Sequence, residues 1–187
     1  MTIIRGHSVD KIEFFDTLDL VVTDPPYAFT GSGPEHELTA AVAITLRECA
    51  RRLKTGSWML VFCASSWRSI NYSVEAVRGI LQPVRIGTWV KPKARSRVVT
   101  PGWKYSTVPV LAMRKGPKNR EELKIDPEPV ADSIVAEALM VGRRAQLPAE
   151  VANWAVKPYA IPGGIFLDPF AGSGTLVEAG ISAGMQA

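Results

Sequence analysis

Short apolar runs alternate with stretches of helical periodicity along this 187-residue chain, the pattern of an α/β layer fold. Leu18-Asp19-Leu20-Val21-Val22-Thr23 is apolar and β-branched, and it stops at Asp24-Pro25-Pro26-Tyr27. Two prolines cannot continue a strand ladder or open a helix interior, so a strand that ends in a turn is expected. Residues 35–54 read as a helix, with Leu38, Val42, Ala43, Leu46, Ala50 and Leu53 in one stripe and Arg47, Arg51 and Lys54 outside it. Gly56 interrupts, and Trp58–Cys63 is a continuous apolar strand of the kind buried in parallel sheets. A weaker helix is expected over 69–81, followed by strands near Val84–Val90 and Val108–Met113 that pair antiparallel. The stretch 116–135 is polar and rich in charge and proline, and reads as a loop. Leu147–Val156 predicts a short helix with Pro148 in its first turn. A further strand, Ile165–Leu167, runs into Asp168-Pro169-Phe170-Ala171-Gly172-Ser173-Gly174-Thr175, and a helix follows to Ala183-Gly184.

Composition narrows the class. Hydrophobic residues are 47% and charged residues 21%, which excludes disorder, and the length suits a single domain. No apolar run approaches the ~20 residues that cross a bilayer, so no membrane role is expected. Cys49 and Cys63 fit no metal spacing and no disulfide scaffold; they read as buried small hydrophobes in a reducing, cytoplasmic protein. His7 and His36 have no ligand-spaced partner, and no metal is expected.

The net charge of +4 favours an anionic partner only weakly, but its distribution does more. From Ala76 to Arg120 there is no Asp or Glu, and eleven of the 22 basic residues lie there. Trp89, Trp103 and Tyr105 are interleaved. Such a block suits phosphate neutralisation and base stacking, and Lys91, Lys93, Arg95, Arg97, Trp103 and Lys104 are its candidate DNA contacts. A solvated loop with tryptophans in a hairpin core has the same composition.

Two loops carry the chemistry, each just past the carboxyl end of an expected strand, where open α/β sheets bind ligands. In the second, Gly172 and Gly174 let backbone approach a ligand and turn into a helix whose free N–H groups suit an anion. In the first, Asp24 offers a carboxylate, and the Pro25 carbonyl is followed by Pro26, which has no N–H. Together they can accept both hydrogens of one amino group, while Tyr27 offers a face for a base. A rigid two-proline turn closed by a core tyrosine would use the same residues.

The pair of motifs, Asp-Pro-Pro-Tyr first and Asp-Pro-Phe-Ala-Gly-Ser-Gly-Thr second, resembles the permuted β group of S-adenosylmethionine-dependent DNA amino-methyltransferases. Leu53-Lys54-Thr55-Gly56-Ser57, Trp89-Val90-Lys91-Pro92 and Arg144-Ala145-Gln146-Leu147-Pro148 match that family's pattern more loosely. The resemblance implies a Rossmann-like three-layer sandwich, a mostly parallel sheet with an antiparallel element at one edge. It implies S-adenosylmethionine held by 168–175, with Asp168, Phe170, Gly172 and Gly174 around its methionine half. Asp24, Pro25, Pro26 and Tyr27 would form the catalytic loop acting on a flipped base. Asp at the first motif position leans toward adenine N6, with cytosine N4 as the alternative.

Two departures belong beside it. The family's next strand ends in an acidic residue on the cofactor ribose, whereas this sequence stops at Gly184-Met185-Gln186-Ala187, and Gly6-His7 stands where relatives have Gly-Asp. A shortened chain, a site completed by a second copy or a partner subunit, and a catalytically silent nucleic-acid-binding subunit are the readings open at this point. The target-recognition region is reduced to a small insert at 116–142.

Overall fold

The computed structural model describes residues 8–26, 35–93, 105–117, 130–141 and 144–187. A short helix α1 (Ser8–Lys11) and a 3₁₀ turn lead into strand β1 (Leu18–Thr23), then helix α2 (Glu35–Arg52), β2 (Leu53–Phe62), α3 (Trp67–Ala76), β3 (Leu81–Val90) and β4 (Thr107–Lys115). Three-residue strands β5 (Ser133–Val135), β6 (Leu139–Val141) and β7 (Arg144–Gln146) precede α4 (Ala149–Val156), β8 (Phe166–Leu167) and α5 (Thr175–Ser182).

Six strands form one sheet in the order β5-β3-β4-β2-β1-β8, and β6 and β7 form a separate antiparallel pair. β1 runs parallel to both β2 and β8, with Val21 opposite Met59 on one side and Leu167 on the other. All six residues of β1 are buried, as expected of a central strand covered on both faces. Alternate side chains serve different layers. Leu20, Val22, Leu60 and Phe62 pack with Val151, Ala155 and Leu176 of α4 and α5. Val21, Met59 and Val61 pack with Leu46, Cys49 and Ala50 of α2. Each fully buried aliphatic or phenyl side chain contributes ~1.5–3 kcal/mol, so these two cores hold the layers together.

The expected three-layer α/β sandwich is present, with four differences in detail. Strands β3 and β4 do pair antiparallel, but the antiparallel strand β4 lies inside the sheet between β2 and β3, not at its edge. Its inner position follows from its composition, since Val108 to Arg114 are all buried. Ser133–Val135, inside the stretch read as loop, adds a strand parallel to β3. Only Ile134 of its three residues is even partly buried, so backbone pairing holds it and no periodicity announces it. α2 ends at Arg52, and Leu53 is buried as the first residue of β2. The weak helix starts earlier and is shorter than 69–81: the Ser66 hydroxyl accepts from the Ser69 N–H as an N-cap, and a turn at Gly79 (φ +79°) precedes β3.

Candidate active site

Because β3 runs parallel to β1, β2 and β8, the carboxyl ends of all four lie along one edge of the sheet. Asp24 leaves β1 there, Cys63 leaves β2, Lys91 leaves β3 and Asp168 leaves β8. The two loops singled out in the sequence meet at this edge. A cleft of about 470 Å³ is lined by Asp24 from the first loop and by Asp168, Phe170–Ser173 and Thr175 from the second. Gln146 and Leu147 close another side, and Gln146 Nε2 lies 3.4 Å from the Thr175 hydroxyl. The volume falls within the ~300–1,000 Å³ typical of small-molecule sites.

The glycine loop has the conformation its sequence requires. Gly172 (φ +52°) and Gly174 (φ +84°) are left-handed, a region that other residues enter only at a cost. A Cβ at Gly174 would meet nothing within 4 Å, so this glycine serves backbone geometry and keeps the loop's outer face open. Gly174 caps α5 without a side-chain acceptor, which leaves the helix's first N–H groups directed at the loop.

Asp168 is buried, at 8% exposure. Its Oδ1 accepts a hydrogen bond from the Thr23 hydroxyl at 2.7 Å and another from the Phe170 N–H at 3.0 Å. Burial pushes its carboxyl up to about 7; those two donors oppose the rise, and the neighbouring Asp24 charge adds to it. Thr23 was not expected in this role. It ends β1 as an ordinary β-branched residue, and its partner is far away in sequence.

The remaining expectations divide. Pro25 is buried and Pro26 exposed beside Asp24. Tyr27, Arg95, Arg97, Trp103 and Lys104 lie outside the described residues, as do the loop 31–34 and residues 118–129 and 142 of the insert 116–142. Cys49 and Cys63 are buried thiols, both pushed up to about 12 by burial, and are inert packing groups. The acid-free block is not one surface. Lys91 and Lys93 follow β3 at the cleft edge, whereas Arg78 and Lys115 sit at the opposite edge, where Leu81 pairs with Lys115. Arg114 is buried there, its guanidinium over the Trp58 ring. Trp89 is a core residue, 6% exposed, whose indole N–H donates to the Ala136 carbonyl at 2.8 Å, so its face is not open to a base. Among the described residues, no cluster of His, Cys, Asp and Glu is arranged to hold a metal, and no helix is long and apolar enough to cross a membrane.

No protein-family profile and no curated protein matches the chain. Solved structures do. The M1.HpyAVI–SAM complex superposes with a TM-score of 0.70 at 21% identity, over 99% of this chain and 89% of that one. TTHA0409, described as a DNA modification methylase of Thermus thermophilus, gives 0.72 at 22%, over 97% and 84%. The cytosine-N4-specific PvuII DNA methyltransferase gives 0.72 at 17%, over 97% and 78%. The fold is that of the DNA methyltransferases. In this methyltransferase fold the two informative loops occupy the carboxyl edge of the sheet and share one cleft.

Proposed function

We propose that this chain is an S-adenosylmethionine-dependent amino-methyltransferase acting on DNA, with adenine N6 as its target. The observation that carries the reading is the cleft shared by Asp24 and the 168–175 loop. It brings the Asp24 carboxyl, one of the two acceptors proposed for the amino group, beside a glycine loop suited to a polar small molecule.

The residues present fit the methyl donor. S-adenosylmethionine carries a sulfonium, an ammonium and a carboxylate, and the glycine-loop side of the cleft offers the Asp168 carboxyl and a helix N-terminus. Solved proteins of the same fold hold it. Asp168, Phe170, Gly172 and Gly174 would surround its methionine half, with Pro169, Ala171, Ser173 and Thr175 completing the loop. When bound, it supplies an electrophilic methyl group.

The chain's own residues do the rest by positioning. Asp24 and the Pro25 carbonyl accept the two N–H hydrogens of the target amino group, turning the nitrogen lone pair out of the ring plane. They also stabilise the positive charge that develops on that nitrogen. Pro26 holds the Pro25 carbonyl in place, and Tyr27 stacks on the extruded base. Lys93, Arg95, Arg97 and Lys104 neutralise phosphates and Trp103 stacks. Aspartate in the first motif position favours adenine over cytosine.

The test is transfer of labelled methyl from S-adenosylmethionine to DNA, followed by digestion to nucleosides. N6-methyladenine that disappears with Asp24→Ala is the expected product. N4-methylcytosine would keep the enzyme and change its base, and no label in any nucleoside would overturn the reading.

A further inference from the structure

One cation of the basic stretch is not placed as a phosphate-binding residue. Lys93 is 85% exposed and lies 3.9 Å from the Glu137 carboxylate, as a surface residue would. Lys91, two residues earlier, is half-buried at the cleft edge. Its backbone is fixed, because its N–H donates to the Ser106 carbonyl at 2.7 Å. Its ammonium lies 5.3 Å from the centre of the Trp89 ring. That ring is itself locked by burial and by its bond to Ala136, so the platform under the ammonium is rigid. Lys91 and Asp24 leave β3 and β1 at the same edge of the sheet, and while burial draws the Lys91 pKa down, the Asp24 carboxylate acts on it in the opposite sense.

We propose that Lys91 belongs to the base pocket, where its ammonium donates a hydrogen bond to the ring nitrogen beside the amino group that Asp24 accepts. The inference rests on the amino-methyltransferase reading and adds to it the means of choosing a base. An acceptor beside a donor is the complement of an amidine edge. Adenine presents such an edge at N6 and N1, and cytosine at N4 and N3. Guanine and thymine present a carbonyl at the corresponding position, which would face the Asp24 and Pro25 acceptors with no hydrogen to share. Bases lacking the amidine edge are thus refused by unpaired polar groups rather than by shape. Lys91 is a positioning and specificity residue; the proposal gives it no proton to transfer.

The test is a double-mutant cycle between protein and base. Affinity is measured by titration of fluorescent oligonucleotides containing either adenine or 1-deazaadenine, which keeps the amino group and replaces N1 by C–H. Wild-type protein and Lys91→Met are compared, with Lys91→Arg as a charge-retaining variant and circular dichroism to confirm folding. Methyl transfer to the same oligonucleotides is followed in parallel. Wild type is expected to bind the adenine oligonucleotide about tenfold or more tightly than the deaza one, the effect of one hydrogen bond to a charged group. Lys91→Met should bind both alike, at the wild-type deaza level. If it weakens both oligonucleotides equally, with transfer intact in wild type, Lys91 is a phosphate contact and this proposal fails alone. If wild type discriminates but transfers nothing, the base pocket stands and the enzyme reading fails. If it neither discriminates nor transfers, both fail.

Discussion

Asp168 is the residue whose chemistry the fold changes most. A buried carboxyl beside Asp24 holds its proton up to about pH 7, while Thr23 and the Phe170 N–H favour its ionised form. The linkage has a definite sign. Between the ordinary carboxyl range and about 7, the folded state keeps a proton that the unfolded state has lost, so stability falls as pH rises through that window and levels off above it. Urea titrations from pH 4 to 8 check this, and Asp168→Asn should flatten the curve. A cationic ligand prefers the ionised form. Affinity for S-adenosylmethionine should therefore rise about tenfold per pH unit below 7 and plateau above, as calorimetry would show. Thr23→Val removes the hydroxyl donor, so the midpoint of that affinity curve should move upward. A midpoint that stays put would mean that Thr23 has no hold on Asp168. None of this was legible in the sequence: the motif names Asp168, but its burial and its partner Thr23 exist only once β1 and β8 are neighbours.

At the scale of elements, the placement of α5 over β8 depends on one small residue. A Cβ added at Gly180 would lie 2.9 Å from the Phe166 ring, and Phe166 is fully enclosed and unable to yield. Gly180→Ala should cost ~1–3 kcal/mol by overpacking, read as a lower urea midpoint at unchanged slope. A neutral outcome would show that α5 can lift from the sheet without loss. The elements themselves were largely readable. β1, β2, β4 and α2 carry long apolar patterns whose period decides their type, and the glycine loop carries its conformation in Gly172 and Gly174. Two features were not. β5 is held by backbone hydrogen bonds to Thr88–Val90, which leave no hydrophobic signature. The interior position of β4 depends on which strand pairs with which, and single-strand periodicity does not encode that.

For the whole molecule, the charge segregation seen in the sequence is redistributed by the fold. Arg78, Arg114 and Lys115 go to the edge of the sheet away from the cleft, and Lys91 is half-buried with its ammonium over the Trp89 ring. The basic residues left for phosphates are therefore fewer than the eleven counted along the chain. Lys93→Ala should lower the slope of log affinity against log salt by about one, and Lys115→Ala should leave it unchanged. Equal effects would mean that DNA wraps both edges. Two loops distant in sequence form one cleft, and the proposed function divides it, the methyl donor on the 168–175 loop and the amino group on Asp24. The most direct test is a single-turnover comparison of wild type and Asp24→Ala at saturating S-adenosylmethionine, with donor affinity measured on the same samples. The account predicts that methyl transfer to DNA collapses by two or more orders of magnitude while donor affinity changes less than a few-fold, since Asp24 acts on the amino group. Transfer that survives the substitution, or donor binding lost together with it, would contradict that division of labour.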